Sequence, residues 1–282
     1  MDVLSHSEYL AGFADAAALK RWSPEDRRTL LERLLAVPAS RAAWGAWLEL
    51  LFHWPTGESI EPVVARAAAP LGQWDWRIRR LDHNAAVLAR DRGVALALVG
   101  MLVLHRMEDL HGFTVRALCE HPYIAGLRGL RLHRVETFAQ GLAPLTRSES
   151  LGRLESLELS GIRLAGGVSE ALGGAGLVAL KSLQLNSADL AAADLVALAA
   201  CPLARVVEAL DLSSNPFTAQ ALDVLLTAEA FPRLKRLDLS HTGLPADGLA
   251  EVLPRLRLPS LESLRLAGTE AADRFGEVLS LK

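Results

Sequence analysis

Two short motifs, which begin at positions 105 and 133, carry the side chains best suited to chemistry in this sequence. They are His105-Arg106-Met107-Glu108 and His133-Arg134-Val135-Glu136. Imidazole and carboxylate groups are common zinc ligands, but a zinc site needs a third protein ligand, and this spacing specifies none. The simpler interpretation is that equivalent positions of two structural repeats carry similar residues. We therefore predict neither a metal site nor a cofactor.

The other reactive side chains do not form a catalytic pattern either. Cys119 and Cys201 are too few for a disulfide framework and lack metal-ligand spacing, so we expect small buried thiols. Asp211 and Asp238 are expected on adjacent strands, where one carboxylate could raise the pKa of the other, but without a cleft this is weak support for catalysis. The chain contains neither H-E-x-x-H nor G-x-S-x-G. We therefore predict that it is not an enzyme.

Two glycine-rich stretches also lack a phosphate-binding pattern. Gly166-Gly167 and Gly173-Gly174-Ala175-Gly176 match neither G-x-x-x-x-G-K-S/T nor a G-x-G-x-x-G that follows a strand. We expect these glycines to loosen one helix of the fold instead.

Basic residues are concentrated between positions 77 and 134, although the whole chain carries a formal net charge of −3. An acidic chain is not a polycation built for nucleic acid, so this local basic field indicates a more specific partner. As a hypothesis, the field binds an acidic protein segment or a phosphate-bearing ligand. The alternative is a solvated strand edge with scattered arginines. The residues concerned are Arg77, Arg79, Arg80, His105, Arg106, Arg128, Arg131, His133 and Arg134.

The composition of the 282 residues indicates a folded chain with an unusual core. Leucine occurs 56 times and hydrophobic residues make up 51%, which excludes a disordered chain. The longest apolar stretch, residues 94–104, has about half of the ~20 residues that a membrane-spanning helix needs. The N-terminus has no basic segment followed by an apolar one, so it does not look like a signal peptide. We therefore expect a cytoplasmic protein with reduced cysteines and no membrane partner.

All six tryptophans lie between positions 22 and 76, where the pattern is helical. Residues 23–26, Ser-Pro-Glu-Asp, combine an N-capping serine, a proline at the first helical position and carboxylates in the first turn. A further helix is expected over residues 40–53, where Trp44 and Trp47 share one stripe. That stripe either forms a binding groove or seals the core against the first repeat. We expect residues 1–72 to form a helical cap.

From position 99 onward, one apolar pattern returns with a nearly constant period. Each copy has apolar residues at the first, fourth and sixth positions, and this alternation predicts a strand that is buried on one face. Helical spacing follows the strand, for example over residues 218–230. A degenerate earlier copy spans residues 73–81 if Trp76 and Ile78 occupy the strand positions. The first apolar positions are Val99, Leu127, Leu154, Leu180, Val207, Leu234 and Leu261.

This pattern resembles the leucine-rich-repeat family, L-x-x-L-x-L-x-x-N/C-x-L, over about residues 73–282. The asparagine position matches only at Asn215, so the buried ladder of the family is mostly absent. Repeats of about 27 residues with full helices look most like the ribonuclease-inhibitor type. The resemblance implies an α/β solenoid of about seven to eight repeats, with parallel strands on a concave face and helices on a convex face. Residues 271–282 leave room for one short helix. Either that helix covers the last repeat, which we favour, or the edge of the sheet is available for pairing.

On such a fold the residues between the leucines can meet a partner, because the core uses the leucines. The resemblance implies a non-enzymatic scaffold or adaptor that binds a protein through the concave sheet and adjacent loops. A binder of nucleic acid or another phosphoanion through the basic N-terminal strands is the alternative, and an enzyme with its chemistry on the cap is the third candidate. The candidate partner-binding residues are Arg77, Arg79, Arg80, His105, Arg106, Arg131, His133, Arg134, Glu158, Gln184, Asp211, Asp238 and Arg265.

Overall fold

Short strands lie in one sheet in the same order in which they occur along the chain. The computed structural model describes residues 23–55, 57–83, 93–105, 115–135, 139–217, 219–227, 229–255 and 257–281. The strands of these residues are β1 (Arg80–His83), β2 (Met101–His105), β3 (Gly129–His133), β4 (Ser156–Ser160), β5 (Ser182–Gln184), β6 (Ala209–Asp211), β7 (Arg236–Asp238), β8 (Ser263–Arg265) and β9 (Val278–Ser280). Neighbours from β1 to β8 pair in parallel, whereas β9 pairs with β8 antiparallel.

Helices precede β1 and then alternate with the strands, because a parallel neighbour can be reached only through a crossover connection. The α-helices of the described residues are α1 (Pro24–Ala36), α2 (Arg41–Phe52), α3 (Glu61–Gly72), α4 (Val115–Glu120), α5 (Ala139–Arg147), α6 (Val168–Leu172), α7 (Ala192–Ala200), α8 (Ala219–Thr227), α9 (Ala246–Val252) and α10 (Glu270–Phe275). Short 3-10 helices span Gly93–Leu98, Ile124–Gly126, Glu149–Leu151, Pro202–Arg205 and Leu253–Arg255.

A column of buried leucines crosses the sheet because the strands from β2 to β8 pair in the same register. Its members are Leu102, Leu130, Leu157, Leu183, Leu210, Leu237 and Leu264. Each is at most 2% exposed. Burial of a leucine contributes about 1.5–3 kcal/mol, and a one-residue slip would turn every leucine of a strand outward. The repeats predicted from the sequence are thus confirmed, and the fold is an α/β leucine-rich-repeat solenoid.

The first two helices begin where the sequence predicts. The Ser23 hydroxyl accepts a hydrogen bond from the Asp26 backbone N–H at 3.1 Å, and the Asp26 carboxylate accepts one from the Ser23 N–H at 3.1 Å. This reciprocal capping box satisfies two of the N–H groups that the start of α1 leaves free. The Ser40 hydroxyl caps α2 by accepting from the Ala43 N–H at 3.1 Å.

The tryptophan stripe of α2 packs inward. Trp44 is 2% exposed and Trp47 is fully buried, and both belong to the same hydrophobic core as the leucines of the repeats. The indole N–H of Trp44 also donates to the backbone oxygen of Arg80 in β1 at 2.7 Å. The stripe therefore covers the first strand, and the groove interpretation of these rings is wrong.

Asn215, in the turn after β6, forms hydrogen bonds with backbone groups of two neighbouring repeats. It is 1% exposed, and its side-chain amide donates to the Leu185 oxygen at 3.0 Å and to the Leu212 oxygen at 2.8 Å. Its carbonyl oxygen accepts from the Ala188 N–H at 3.0 Å and the Leu190 N–H at 3.1 Å. One side chain thus satisfies four backbone groups that burial would otherwise leave without a partner.

Threonine replaces this asparagine in the last two full repeats. The Thr242 hydroxyl donates to the Leu239 oxygen, and the Thr269 hydroxyl donates to the Leu266 oxygen, each at 2.6 Å. These bonds match the contact from Asn215 to the residue three positions before it. A threonine hydroxyl therefore keeps the local hydrogen bond of the asparagine without the bonds that Asn215 makes to the preceding repeat.

The alignment of the earliest repeat differs from the prediction. Leu81, not Trp76, pairs with Leu102, so the first interval is shorter than the later ones. Trp76 instead packs over Gly100 and Gly129, where its atoms lie within 2.8 Å and 2.5 Å of the position that a Cβ would take. A tryptophan in the strand register would have to occupy a leucine-sized place in the core, and here it lies on the glycines instead.

The C-terminal end also differs from the predicted single helix. The helix α10 ends at Phe275, and Gly276 follows with a φ of 86°, a conformation that L-residues rarely adopt. The chain then reverses into β9, whose Leu279 pairs with Leu264 of β8. The last parallel strand is therefore covered by backbone pairing as well as by a helix.

The glycine-rich segment around α6 packs closely, which corrects the expectation of a loosened helix. The Gly176 N–H donates to the Thr146 oxygen at 2.6 Å, and the Gly174 N–H donates to the Thr146 hydroxyl at 3.3 Å. A Cβ on Gly174 would lie 2.4 Å from the Thr146 oxygen. The glycines are needed because two neighbouring repeats approach each other here through their backbones.

Candidate partner-binding surface

The sheet face opposite the buried leucines, which we call the open face, carries the side chains that alternate with them. Residues that lie between the two strand leucines form a middle column, defined by the strand register. It consists of Asp82, Val103, Arg131, Glu158, Gln184, Asp211, Asp238 and Arg265. The order from Val103 to Arg265 is the predicted one, but Asp82 occupies the first place, which the sequence alignment assigned to Arg77.

Small residues surround the centre of the middle column. On one side of it lie Ser156, Ser182 and Ala209, and on the other side the backbone continues through Ser160, Asn186 and Ser213. The Asn186 amide donates to the Ser160 hydroxyl at 2.9 Å. The centre of the open face is therefore shallow, polar and without aromatic anchors, which are the commonest hot spots of protein interfaces.

Two of the candidate arginines, Arg77 and Arg79, lie before β1 begins at Arg80 and so outside the strand register. Arg79 is 9% exposed, and its Nη1 donates to the Leu98 oxygen at 2.6 Å. Burial lowers the pKa of this guanidinium, and the charge of Arg128 lowers it further. Arg77 is exposed, and its Nη1 lies 3.4 Å from a carboxylate oxygen of Asp75. The predicted contribution of Arg79 to an exposed basic field is therefore wrong.

Two further arginines are paired with carboxylates of the middle column. Arg80 donates from Nη2 to the Asp82 carboxylate at 2.6 Å. The Nε of Arg131 lies 2.5 Å from Glu158, whose side chain is only 12% exposed. These two carboxylates neutralise two of the positive charges in the basic field that the sequence predicts. Of the remaining candidates, Arg106 lies outside the described residues.

Two histidines share the C-terminal end of β2 and β3. His105 pairs with His133 across the strands, and the ring centroids lie 5.7 Å apart in an edge-on arrangement. Burial lowers the pKa of His133, and the charges of Arg134, His105 and Arg131 lower it further, whereas Glu158 raises it. The Nε2 of His105 lies 3.8 Å from Asp82, a carboxylate already bound by Arg80.

The two aspartates of the middle column bind their own turns. The Asp211 carboxylate accepts from the Ser213 N–H, and the Asp238 carboxylate accepts from the Ser240 N–H, each at 2.9 Å. Arg265 adds a longer contact to Asp238, at 3.7 Å. The two turns therefore explain why aspartate occupies both positions. Both carboxylates still lie on the open face and give it negative charge there.

A ladder of alternating charge at the starts of the strands was missed in the sequence. Arg128 lies 3.3 Å from Glu155, Glu155 lies 2.9 Å from Lys181, and Glu208 lies 2.8 Å from Lys235. Each residue follows the first apolar position of its repeat, so the alternation in sign could have been detected there. Opposite charges on neighbouring strands stabilise the pairing of the strands. Because Arg128 is paired with Glu155, its charge is not available to a ligand.

A second column, two residues beyond the second strand leucine, has positive φ in every repeat from β3 to β8. Its members are Arg134, Gly161, Ser187, Ser214, His241 and Gly268. The two glycines accommodate the side chains of the preceding repeat: a Cβ on Gly161 would lie 3.1 Å from Arg134, and one on Gly268 would lie 2.2 Å from His241. Arg134 is thus held at the rim of the open face with its side chain exposed.

No three His, Cys, Asp or Glu side chains converge as a metal site within the part of the chain that the structure describes. Glu108 and Glu136, which the sequence offered as further ligands for the histidines, lie outside it. Cys119 and Cys201 are buried free thiols. Among the described residues, no helix is both long and apolar enough to cross a membrane.

Comparisons with known proteins give structural similarity only. No protein-family model and no curated protein matches the chain. A structure of the mouse RP105/MD-1 complex matches with 24% identity and a TM-score of 0.39, over 68% of this chain and 30% of that one. An internalin from Listeria monocytogenes matches with 18% identity and a TM-score of 0.30, over 73% of this chain and 74% of that one. The chain thus spans less than a third of the first protein, and the fold assignment rests on its own strand register.

Proposed function

We propose that the chain is a non-enzymatic scaffold that binds a protein partner through the open face and the loops next to it. The observation that carries this proposal is the unbroken register from β3 to β8, which repeats one outward-facing, at least partly exposed position per strand in the middle column. A regular array of outward side chains on a rigid sheet is a surface for recognition, since the core needs none of them.

The size of the open face sets a condition on the partner. Seven strands at ~4.8 Å spacing span about 29 Å, and an exposed strand length of about 13 Å gives roughly 400 Å². A standard interface buries about 800 Å² per partner. We therefore expect the loops after the strands to contribute about half of the contact area. A partner that touched the sheet alone would bind weakly.

The protein partner is favoured over nucleic acid by the way in which the arginines are used. Arg80, Arg128 and Arg131 each contact a carboxylate of this chain, and Arg79 is buried against a backbone oxygen. A phosphate backbone needs several free cations to bind.

We also propose that α1 to α3 act as the cap of the solenoid and that the repeats belong to the ribonuclease-inhibitor type. A cytoplasmic location stays a prediction.

The test is site-specific photocrosslinking in the native host. A benzophenone side chain replaces Gln184 or Asp211 on the open face, and Val196, which is 53% exposed on α7, serves as the matched control. We expect the same protein adduct from both open-face positions and no such adduct from position 196. Adducts from position 196 alone, or nucleic-acid adducts from the open face, would contradict the proposal. Circular dichroism of each variant verifies the fold.

A further inference from the structure

Positive charge remains available at two places on the open face. Arg236 and Arg265 carry it on β7 and β8, and two histidines with one arginine carry it at the ends of β2 and β3. Arg80 and Arg131 are neutralised by Asp82 and Glu158, as described above. On the first three strands, what remains among the described residues is a cluster at the ends of β2 and β3, formed by His105, His133 and Arg134. No carboxylate within 4.0 Å of Arg134 is found among the described residues.

The positions of the three side chains are set by the backbone. His105 and His133 are cross-strand partners, so their rings are held 5.7 Å apart by the sheet. Arg134 has a φ of 50°, and its N–H donates to the Ser160 oxygen at 2.8 Å. Its aliphatic part rests against Gly161, which has no side chain to displace it. We call these three residues the His–Arg cluster.

Charged groups from four strands face the two imidazoles. Asp82 lies on β1, His105 on β2, Arg131 and His133 on β3 with Arg134 directly after it, and Glu158 on β4. Asp82 and Glu158 each hold an arginine already, so neither provides a full negative charge for the histidines. The cluster therefore has one permanent cation and two side chains that can each gain a further charge on protonation.

We propose that the His–Arg cluster is a proton-linked binding site for the carboxylates of an acidic segment in a protein partner. The inference rests on the proposed function and specifies both the chemistry of the partner and the regulation of binding. Arginine and protonated imidazole are both charge-assisted donors to carboxylates. The neighbouring arginines disfavour a metal cation between the two rings, so the same geometry selects an anion.

The direction of the pH dependence follows from linkage. In the free protein, burial and the surrounding arginines hold the pKa of His133 below its usual range, so the ring is neutral at pH 7. A bound carboxylate raises the pKa of His133, because it stabilises the protonated imidazole. Binding therefore strengthens as the pH falls through the range between the bound and the free pKa values, and it weakens above that range.

The experiment measures the affinity of the full chain for a fluorescent peptide of about eight glutamates between about pH 8 and pH 5.5, where glutamate stays largely ionised. We expect the affinity to rise about tenfold or more, since each histidine whose pKa shifts by about one unit contributes up to a factor of ten. A neutral peptide of glycine and serine controls for pH effects on the protein itself. No binding of the glutamate peptide at any pH, or equal binding at both limits, overturns the proposal.

Variants separate the parts of the cluster. The double change His105→Gln and His133→Gln should remove the pH dependence and keep the weak affinity seen at pH 8. Arg134→Gln should weaken binding at both pH limits and keep their ratio. His241→Gln is the matched control, because His241 is also exposed with positive φ but lies after β7. A pH dependence that survives the double change contradicts the site.

The outcomes also distinguish this inference from the proposed function. If the open-face crosslinks form but do not change with pH, the proton linkage fails and the scaffold stands. If the peptide binds as expected but no protein adduct forms from positions 184 and 211, the scaffold fails and the cluster remains a carboxylate site. Tighter, pH-linked binding of a single-stranded oligonucleotide than of the peptide contradicts the choice of an acidic protein segment and favours a phosphate ligand.

Discussion

The two ends of the sheet are closed in different ways. At the N-terminal end, three helices precede β1, and the buried rings of Trp44 and Trp47 in α2 join the core of the repeats. The Trp44 indole also donates to a backbone oxygen of β1. At the C-terminal end, the three-residue strand β9 is the outermost element, and its Val278 is 54% exposed.

The difference shows that a sheet edge can be covered by buried apolar side chains or by backbone pairing, and that the two contribute unequally to the free energy of unfolding. A buried tryptophan removes about 150–250 Å² from water, whereas a three-residue strand adds few hydrogen bonds, each worth about 1 kcal/mol net. A very short outer strand still limits pairing with other chains, because it offers them little backbone. We therefore expect the N-terminal closure to stabilise the fold and the C-terminal closure mainly to protect an edge.

The largest effect is expected from Trp47→Ala. Trp47 is fully buried in α2, and removal of its ring leaves a cavity under the first repeat, so we expect a loss of about 3–5 kcal/mol of unfolding free energy. Chemical denaturation measures it. Val278→Ala in β9 is the control and should change the stability by less than about 0.5 kcal/mol, because that side chain is mostly exposed. Equal losses of unfolding free energy in the two variants would contradict the expected difference between the two ends.

An intermediate effect is expected in the reactivity of the two cysteines, one in each half of the solenoid. Burial, with a smaller contribution from Glu120, raises the pKa of Cys119 to about 11, and burial also raises the pKa of Cys201. Only the thiolate reacts, so Cys119 should be modified about 100-fold more slowly in the folded than in the unfolded chain. Its raised pKa contributes stability below about pH 9, and that contribution is lost as the pH rises towards 11.

Thiol labelling along a denaturant series compares the two halves of the solenoid. If the C-terminal half opens first, Cys201 is modified at a lower denaturant concentration than Cys119. Labelling of both at the same concentration would mean that the solenoid unfolds as one unit. Rapid labelling of Cys119 in the native protein at pH 8 would contradict its burial.

The smallest effect is expected from Gly276→Ala, which strains the reversal into β9. Gly276 has a φ of 86° and a ψ of 159°, a region nearly restricted to glycine, and an alanine there costs about 1–3 kcal/mol. Because β9 can detach, we expect a global loss of only about 1 kcal/mol. Hydrogen exchange should show lost protection of the Leu281 amide, which donates to the Glu262 oxygen at 3.0 Å. Gly57→Ala is the control, since an added Cβ meets open space at both glycines but only Gly276 has positive φ.

The repeats could be predicted because their signal is local and recurrent. The leucines of β2 to β8 recur with a nearly constant period, and each strand places them on one face, so the register follows from the period. The first repeat broke that rule, since its strand leucine, Leu81, lies closer to Leu102 than the period allows. The period of the later repeats places Trp76 at a strand position, but its ring packs on the glycines of the next two repeats.

The candidate site was predicted less well because charge depends on neighbours from other repeats. Arg131 and Glu158 are adjacent in the middle column, so their ion pair was accessible from the alignment. The pairing of Arg80 with Asp82 was hidden by the misaligned first repeat. The burial of Arg79 against the Leu98 oxygen had no sequence signal, since a buried arginine is rare without a carboxylate partner.

The sequence by itself determined which residues form the core and how the strands repeat, because alternation along a strand and a regular period are properties of the chain alone. The tertiary structure decided which charges remain free. An arginine and the carboxylate that neutralises it can lie one whole repeat apart along the chain and meet only when two strands pair, as Arg128 and Glu155 do. The basic field of the sequence thus became a set of internal ion pairs, with His105, His133 and Arg134 left at its edge.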